Sequence, residues 1–179
     1  MRPRETISAF DSFLASRGLS LEAVIVGGAA LGLLGVTSRQ TRDCDVLVPD
    51  LPEEVLAAAR AFASNSRSKG EMLSDEWLNN GPSSLVRTLP SGWREHLQIV
   101  FEGKAITLSC LGRTDLIRSK LFALCDRAID LPDCIALAPT SAELEEVEEW
   151  VSAQDANPDW PEHVRTVFAD LEGKLGHGA

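Results

Sequence analysis

Between Val24 and Asp50 the chain reads VIVGGAALGLLGVTSRQTRDCDVLVPD. An apolar run meets a glycine pair, a small-residue stretch follows, and a second apolar run carries Asp43 and Asp45. The spacing predicts a strand over 23–26, a helix opening at Gly27-Gly28 and ending near Gly35, and a second strand over 44–48 closed by Pro49. Alternate residues of a strand share a face, so Asp43 and Asp45 project to one side while Cys44 and Val46 face the other. Two adjacent carboxylates repel, and proteins hold such pairs where a cation or a basic side chain compensates.

The rest of the chain frames this unit. Ile7, Phe10, Phe13 and Leu14 recur at helical spacing in TISAFDSFLASRG, with Gly18 as a stop. After Pro52, EEVLAAARAFA places acids where a first helical turn favours them. From Ser64 to Trp93 the composition turns to Ser, Asn, Gly and Pro, and Asn79-Asn80-Gly81-Pro82 is a strong turn signal. Trp77, Asn79 and Asn80 admit two readings, a turn beside the core or a pocket for a base or acceptor. The runs 97–101 and 105–110 are β-prone and joined by Glu102-Gly103-Lys104, a hairpin connection. At least four strands are expected.

Past Gly112 the pattern is helical. A helix is expected over 114–127 with Ile117, Leu121, Leu124 and Ala128 as its buried stripe, then a loop AIDLPD, then two further helices. Thr140 and Glu143 match a capping box. Together these give an α/β (α+β) fold, a small mixed sheet with flanking helices over 1–111 and a C-terminal helical region over 112–179.

At 179 residues the chain has room for one core. No apolar run approaches the roughly 20 residues of a membrane span, and MRPRETISAF lacks an uninterrupted apolar signal core. No membrane association and a cytoplasmic location are therefore expected. Cys44, Cys110, Cys125 and Cys134 are irregularly spaced and read as buried free thiols. His96, His163 and His177 give little support for a histidine metal site. A net charge of −10 argues against a broad duplex-DNA surface.

The chemistry expected of the opening unit follows from its residue types. Hard dications such as Mg²⁺ or Mn²⁺ take carboxylate oxygens, keep waters and accept substrate phosphates, so Asp43 and Asp45 are the candidate metal ligands. Gly27 and Gly28 would let a phosphate approach backbone N–H groups at the positive end of a helix. Alone, the glycine pair also reads as a packing device and D-x-D as a loop or capping feature. Their order, interval and apolar framing are more specific together.

VGGAALGLLG and SRQTRDCDVLV resemble the signature of the polymerase-β-like nucleotidyltransferase superfamily, in which a Gly-Gly or Gly-Ser helix start precedes an Asp-x-Asp strand. More closely, the chain is similar to small bacterial nucleotidyltransferase-like proteins related to AbiEii and MenA toxins, over most of Leu21 to Trp150. EWLNNGP, RTDLIRSKLFALCDRAIDLPD and APTSAELEEVEEWV belong to the same resemblance.

The resemblance implies a nucleoside triphosphate as ligand, Mg²⁺ or Mn²⁺ as cofactor, an RNA, protein or small-molecule acceptor, and an antitoxin as a partner. It places Lys120, Arg127, Asp130 and Asp133 in the family's Lys, Arg and two-aspartate positions, with Lys120, Asp130 and Asp133 beside Asp43 and Asp45 as catalytic groups. Lys120 and Arg127, seven apart, share a helix flank, and with Gly27, Gly28, Arg39 and Thr41 they form the expected nucleotide-binding set. Arg39 also reads as an ordinary solvated loop arginine. The third carboxylate of active superfamily members has no counterpart in AITLSCLG, where Thr107 and Ser109 stand instead. Three alternatives stay open: a transferase, a non-catalytic nucleotide-binding or toxin–antitoxin module, and an adaptor whose paired aspartates only solvate a strand end.

Overall fold

A computed structural model describes residues 1–176. Two compact units divide at Gly112 and Arg113, and each is described by itself.

The first unit is a five-stranded mixed sheet with helices, in the order α1 (Pro3–Ala15), β1 (Leu21–Val26), α2 (Gly27–Leu34), β2 (Cys44–Val48), α3 (Glu53–Ser68), β3 (Leu78–Asn79), β4 (Gln98–Glu102) and β5 (Ile106–Cys110). The strands lie in the order β3-β2-β1-β5-β4. β1 is the central strand, antiparallel to β2 and parallel to β5. That position explains its sequence: five of its six residues are buried, and only Glu22 reaches solvent. β2 carries a bulge, because Val24 faces Val48 while the next residue, Ile25, faces Val46. A bulge bends its strand and re-aims side chains.

α1 buries Ile7, Phe10 and Leu14, a stripe at helical spacing. Its Asp11 is also buried and accepts N–H groups of Lys104, Ala105 and Ile106 at 3.1, 2.8 and 2.8 Å. These bonds fasten the β4–β5 connection, where a methyl on Gly103 would lie 2.3 Å from Asp11 Oδ1. Burial works to raise the Asp11 carboxyl, and the three backbone donors prevail and hold it below its ordinary value.

The Ser- and Asn-rich stretch is more ordered than its composition suggests. α3 continues to Ser68, β3 adds an unforeseen fifth strand, and two 3₁₀ turns occupy Gly81–Arg87 and Trp93–His96. Trp77 anchors the segment. It is fully buried, packs edge-on to Phe10 with centroids 5.0 Å apart, tilts against Phe62 at 5.8 Å, and donates its indole N–H to Ala59 O at 3.1 Å. Each aromatic pair adds about 0.5–1.5 kcal/mol beyond area burial.

The second unit comprises α4 (Arg113–Arg127), α5 (Leu131–Leu137), α6 (Ser141–Ser152) and α7 (Trp160–Leu175). The expected loop AIDLPD is shorter than the sequence suggested, because Pro132 sits in the first turn of α5, where a missing N–H is harmless. Ala128 departs from the expected stripe: α4 stops at Arg127, and Ala128 is exposed at φ 58°. The capping box is present, with the Thr140 side chain accepting from Glu143 N and Glu143 accepting from Thr140 N. Arg113 clasps the same Glu143 at 2.6 and 3.0 Å and donates to Leu137 O at 3.1 Å. The Arg113 guanidinium, with the Thr140 donors, holds the Glu143 carboxyl down at about 2 against partial burial.

Cys44, Cys110, Cys125 and Cys134 are all buried free thiols, as their apolar neighbours suggested. Among the described residues no helix is long and apolar enough to cross a membrane.

Candidate functional site

The register of three strands builds the site. Val26, the last residue of β1, faces Asp45 on β2, and Asp45 faces Asn79 on β3. Gly27 follows Val26 directly, so the chain turns into α2 beside the Asp45 carboxylate. A methyl on Gly27 would lie 2.7 Å from Asp45 Oδ2, and Gly27 also has φ +72°. Only glycine satisfies both conditions. A methyl on Gly28 would lie 3.0 Å from Thr41 Oγ1 and 3.9 Å from Arg39 Nη2. The glycine pair, Arg39, Thr41 and Asp45 therefore meet at one turn.

Asp43 joins through Thr41, whose hydroxyl is 3.4 Å from Asp43 Oδ1. The loop before β2 is fixed at Thr41, whose N–H reaches Met1 O at 3.1 Å and whose carbonyl accepts the Met1 ammonium. Asp43 and Asp45 are both partly exposed, while Cys44 and Val46 between and after them are buried. The alternation read from the sequence is thus realised. Cys44 is an inert thiol: burial first, then the charges of Asp45 and Asp43, push its ionisation far upward.

α2 has neither a side-chain cap nor an acid in its first turn. Its positive end is turned toward the strand end that carries Asp45, the arrangement in which backbone N–H groups receive an anion.

Asp43, Asp45, Thr41 and Asn79 line a cleft of about 1260 Å³. Its further walls include Arg60 and Arg67 of α3 and Asp75. The two arginines escape a reading of the sequence because they look like the polar face of an ordinary helix. Their signal is spacing, since Leu56, Arg60 and Arg67 fall in one stripe at i, i+4 and i+11.

Trp77 does not serve as an aromatic platform, because its rings are wholly inside the core. Asn80 is a structural clamp, with Nδ2 donating to Val46 O and Pro49 O at 3.1 and 3.0 Å and Oδ1 accepting Leu51 N at 2.7 Å. Asn79 turns its Oδ1 to Gly81 N at 2.7 Å, yet stays beside Asp45 in the cleft. An amide at this place neither ionises nor takes a proton. Among the described residues no group of three or more His, Cys, Asp or Glu gathers for a metal ion.

Lys120, Arg127, Asp130 and Asp133 converge on one another in the second unit. Lys120 Nζ donates to Asp130 Oδ1 at 2.8 Å and Asp133 Oδ2 at 2.7 Å, and Arg127 reaches Asp130 Oδ2 at 3.1 Å. Lys120, Asp130 and Asp133 are buried. Burial pulls the Lys120 ammonium down, and its bonds to Asp130 and Asp133 more than offset this, leaving it above the ordinary lysine value.

A family model described as "Nucleotidyltransferase of unknown function (DUF6036)" matches residues 5–157. The chain belongs to this nucleotidyltransferase family. No curated protein and no solved structure matches it. The family implies a nucleotide as the substrate class. The matched span also takes in the first unit almost entire and the Lys120 network.

Proposed function

We propose that this nucleotidyltransferase family member binds a nucleoside triphosphate in the Asp43–Asp45 cleft and transfers its nucleotidyl group to a hydroxyl of an RNA, protein or small molecule. The observation that carries the reading is the close approach of Asp45 to the glycine turn. It sets a carboxylate pair and an anion-receiving helix start within one ligand's reach.

The donor set suits Mg²⁺ or Mn²⁺: Asp43 and Asp45 supply hard oxygen ligands, and waters and substrate phosphates complete such shells. When bound, the ion neutralises phosphate charge and orients the reacting oxygens. The protein's own part is positional. Gly27 and Gly28 let the chain turn tightly against Asp45 and Thr41, Arg39 lies beside them, and the α2 N-terminus favours negative charge there. Holding acceptor and α-phosphate in line removes much of the entropic barrier to transfer.

Lys120, Arg127, Asp130 and Asp133 enter this reading on the resemblance alone, as a preassembled charge network of the second unit whose lysine and aspartates support transfer. Replacement distinguishes this from a purely structural role: a fall in transfer in Lys120→Arg without a fall in its urea midpoint supports the transfer role, and a fall of both together supports the structural one. The resemblance to AbiEii and MenA toxins adds an antitoxin partner. Growth arrest on expression, relieved by Asp45→Ala, tests that part.

A second reading is favoured by Asn79. With an amide instead of an acid opposite Asp45, the cleft suits nucleotide binding without transfer. Labelled triphosphates, Mg²⁺ and total cellular RNA separate the two. Label transfer abolished by Asp45→Ala supports the enzyme, and saturable triphosphate binding without transfer to any acceptor supports the module.

A further inference from the structure

We propose that Arg60 and Arg67 of α3 form a binding strip for the phosphodiester backbone of a single-stranded nucleic acid, whose end lies in the Asp43–Asp45 cleft. This deepens, and rests on, the nucleotidyl-transfer reading of the same cleft.

Both arginines line the cleft that Asp43, Asp45 and Asn79 line. Seven residues of helix separate their two Cα atoms by about 10.5 Å. The side chains then diverge. Arg60 reaches back to Glu53 at 2.5 Å, toward the start of α3, and Arg67 reaches beyond its end to Leu73 O and Asp75 Oδ1, both at 2.7 Å. Cations spread along the helix in this way offer one contact after another rather than a single cradle. A chain with successive phosphates fits.

The arginines' present partners are weakly held. Both pairs are solvent-exposed, with side chains 50% and 79% accessible for Arg60–Glu53 and 42% and 59% for Arg67–Asp75. Such pairs contribute about 0–1 kcal/mol, so a phosphate that accepts two guanidinium bonds displaces the carboxylate readily. Arg67 keeps its backbone anchor at Leu73 O while exchanging partners. Volume points the same way. Small-molecule sites occupy about 300–1,000 Å³, and a cleft of about 1260 Å³ leaves room for a strand end beside a nucleotide. On a chain of net charge −10 these cations form a local strip, which suits a single strand better than a duplex.

The test measures anisotropy of a labelled short single-stranded RNA on the full chain across a salt series, with thermal shift by ATP and Mg²⁺ in parallel. The double variant Arg60→Gln/Arg67→Gln is expected to weaken RNA binding about tenfold or more and to flatten the salt slope by about 0.7 for each phosphate no longer neutralised, while the ATP response stays within about twofold of the parent. The opposite variant, Glu53→Gln/Asp75→Asn, releases both arginines and is expected to tighten RNA binding. It reads the same strip where the first variant folds poorly, and unchanged or weaker RNA binding there would contradict the strip. Absent RNA binding by the parent, unchanged affinity in the variants, ATP affinity falling in step with RNA, or a poly-glutamate peptide competing as well as RNA would each overturn the strip. RNA binding without any ATP response would instead overturn the nucleotidyl-transfer reading and leave the strip standing.

Discussion

Asp45 and Gly27 are set so closely that a side chain on the glycine would overlap the carboxylate, with Asp45 Oδ2 2.7 Å from the site of the missing methyl. The closeness follows from register, since Val26 faces Asp45 and Gly27 is the next residue. Gly27→Ala therefore meets a clash and an unfavourable positive φ together. A loss of about 1–3 kcal/mol in urea unfolding is expected, along with loss of the thermal shift by ATP and Mg²⁺. Gly18, which also has positive φ but open space around it, is the control: Gly18→Ala strains the chain without touching the nucleotide response.

Asn79 is a near-isosteric place to add a third carboxylate. Its Oδ1 already accepts Gly81 N, and an aspartate oxygen there keeps that bond. Asn79→Asp is expected to enlarge the stabilisation by Mg²⁺ alone and to raise label transfer. Equal Mg²⁺ responses in variant and parent would show that this position does not address the metal.

Asp11 gives the first unit an acid-sensitive fastening. Its carboxyl lies below its ordinary value of 3.8 in the folded chain, so the folded state binds fewer protons than the unfolded one as pH falls. The contribution is present above that ordinary value and is lost as pH drops through the folded value. Asp11→Asn is expected to lower the urea midpoint at neutral pH, and the gap from the parent should close on acidification.

Lys120 has the opposite sign. Its ammonium is raised above 10.5, so its contribution is full at neutral pH and fades only as pH climbs through the folded value. Lys120→Met takes the buried cation shared by Asp130 and Asp133, leaving Arg127 at Asp130, and is expected to cost about 3 kcal/mol. Adding Asp130→Asn and Asp133→Asn should recover part of that loss, read as urea midpoints at pH 7 and 11.

What the sequence discloses is local. β1, the glycine turn and β2 are legible because apolar runs, a glycine pair and i, i+2 aspartates leave their mark within 25 or so residues. The capping box at Thr140 is legible for the same reason. β3 is not, because a two-residue strand has no periodicity and exists only through pairing with β2. Hence the sequence directs attention to Thr107 and Ser109 of β5 as the place for a further acid, whereas register puts Asn79 beside Asp45. Trp77 illustrates the converse: Asn-Asn-Gly-Pro marks a polar segment, but the indole beside it belongs to the aromatic core under α3. Arg60 and Arg67 are silent because a solvated helix face and an anion strip share one pattern until a cleft is seen beside it.

The function proposed for this chain depends on Asp43 and Asp45 holding a hard dication that joins them to a nucleotide. Isothermal titration of ATP into the full chain, with Mg²⁺ and with chelator, tests this most directly when repeated on Asp43→Asn and Asp45→Asn. Binding is expected to require Mg²⁺ and to weaken about tenfold or more in either variant. Binding indifferent to Mg²⁺, or equal in parent and both variants, would contradict it.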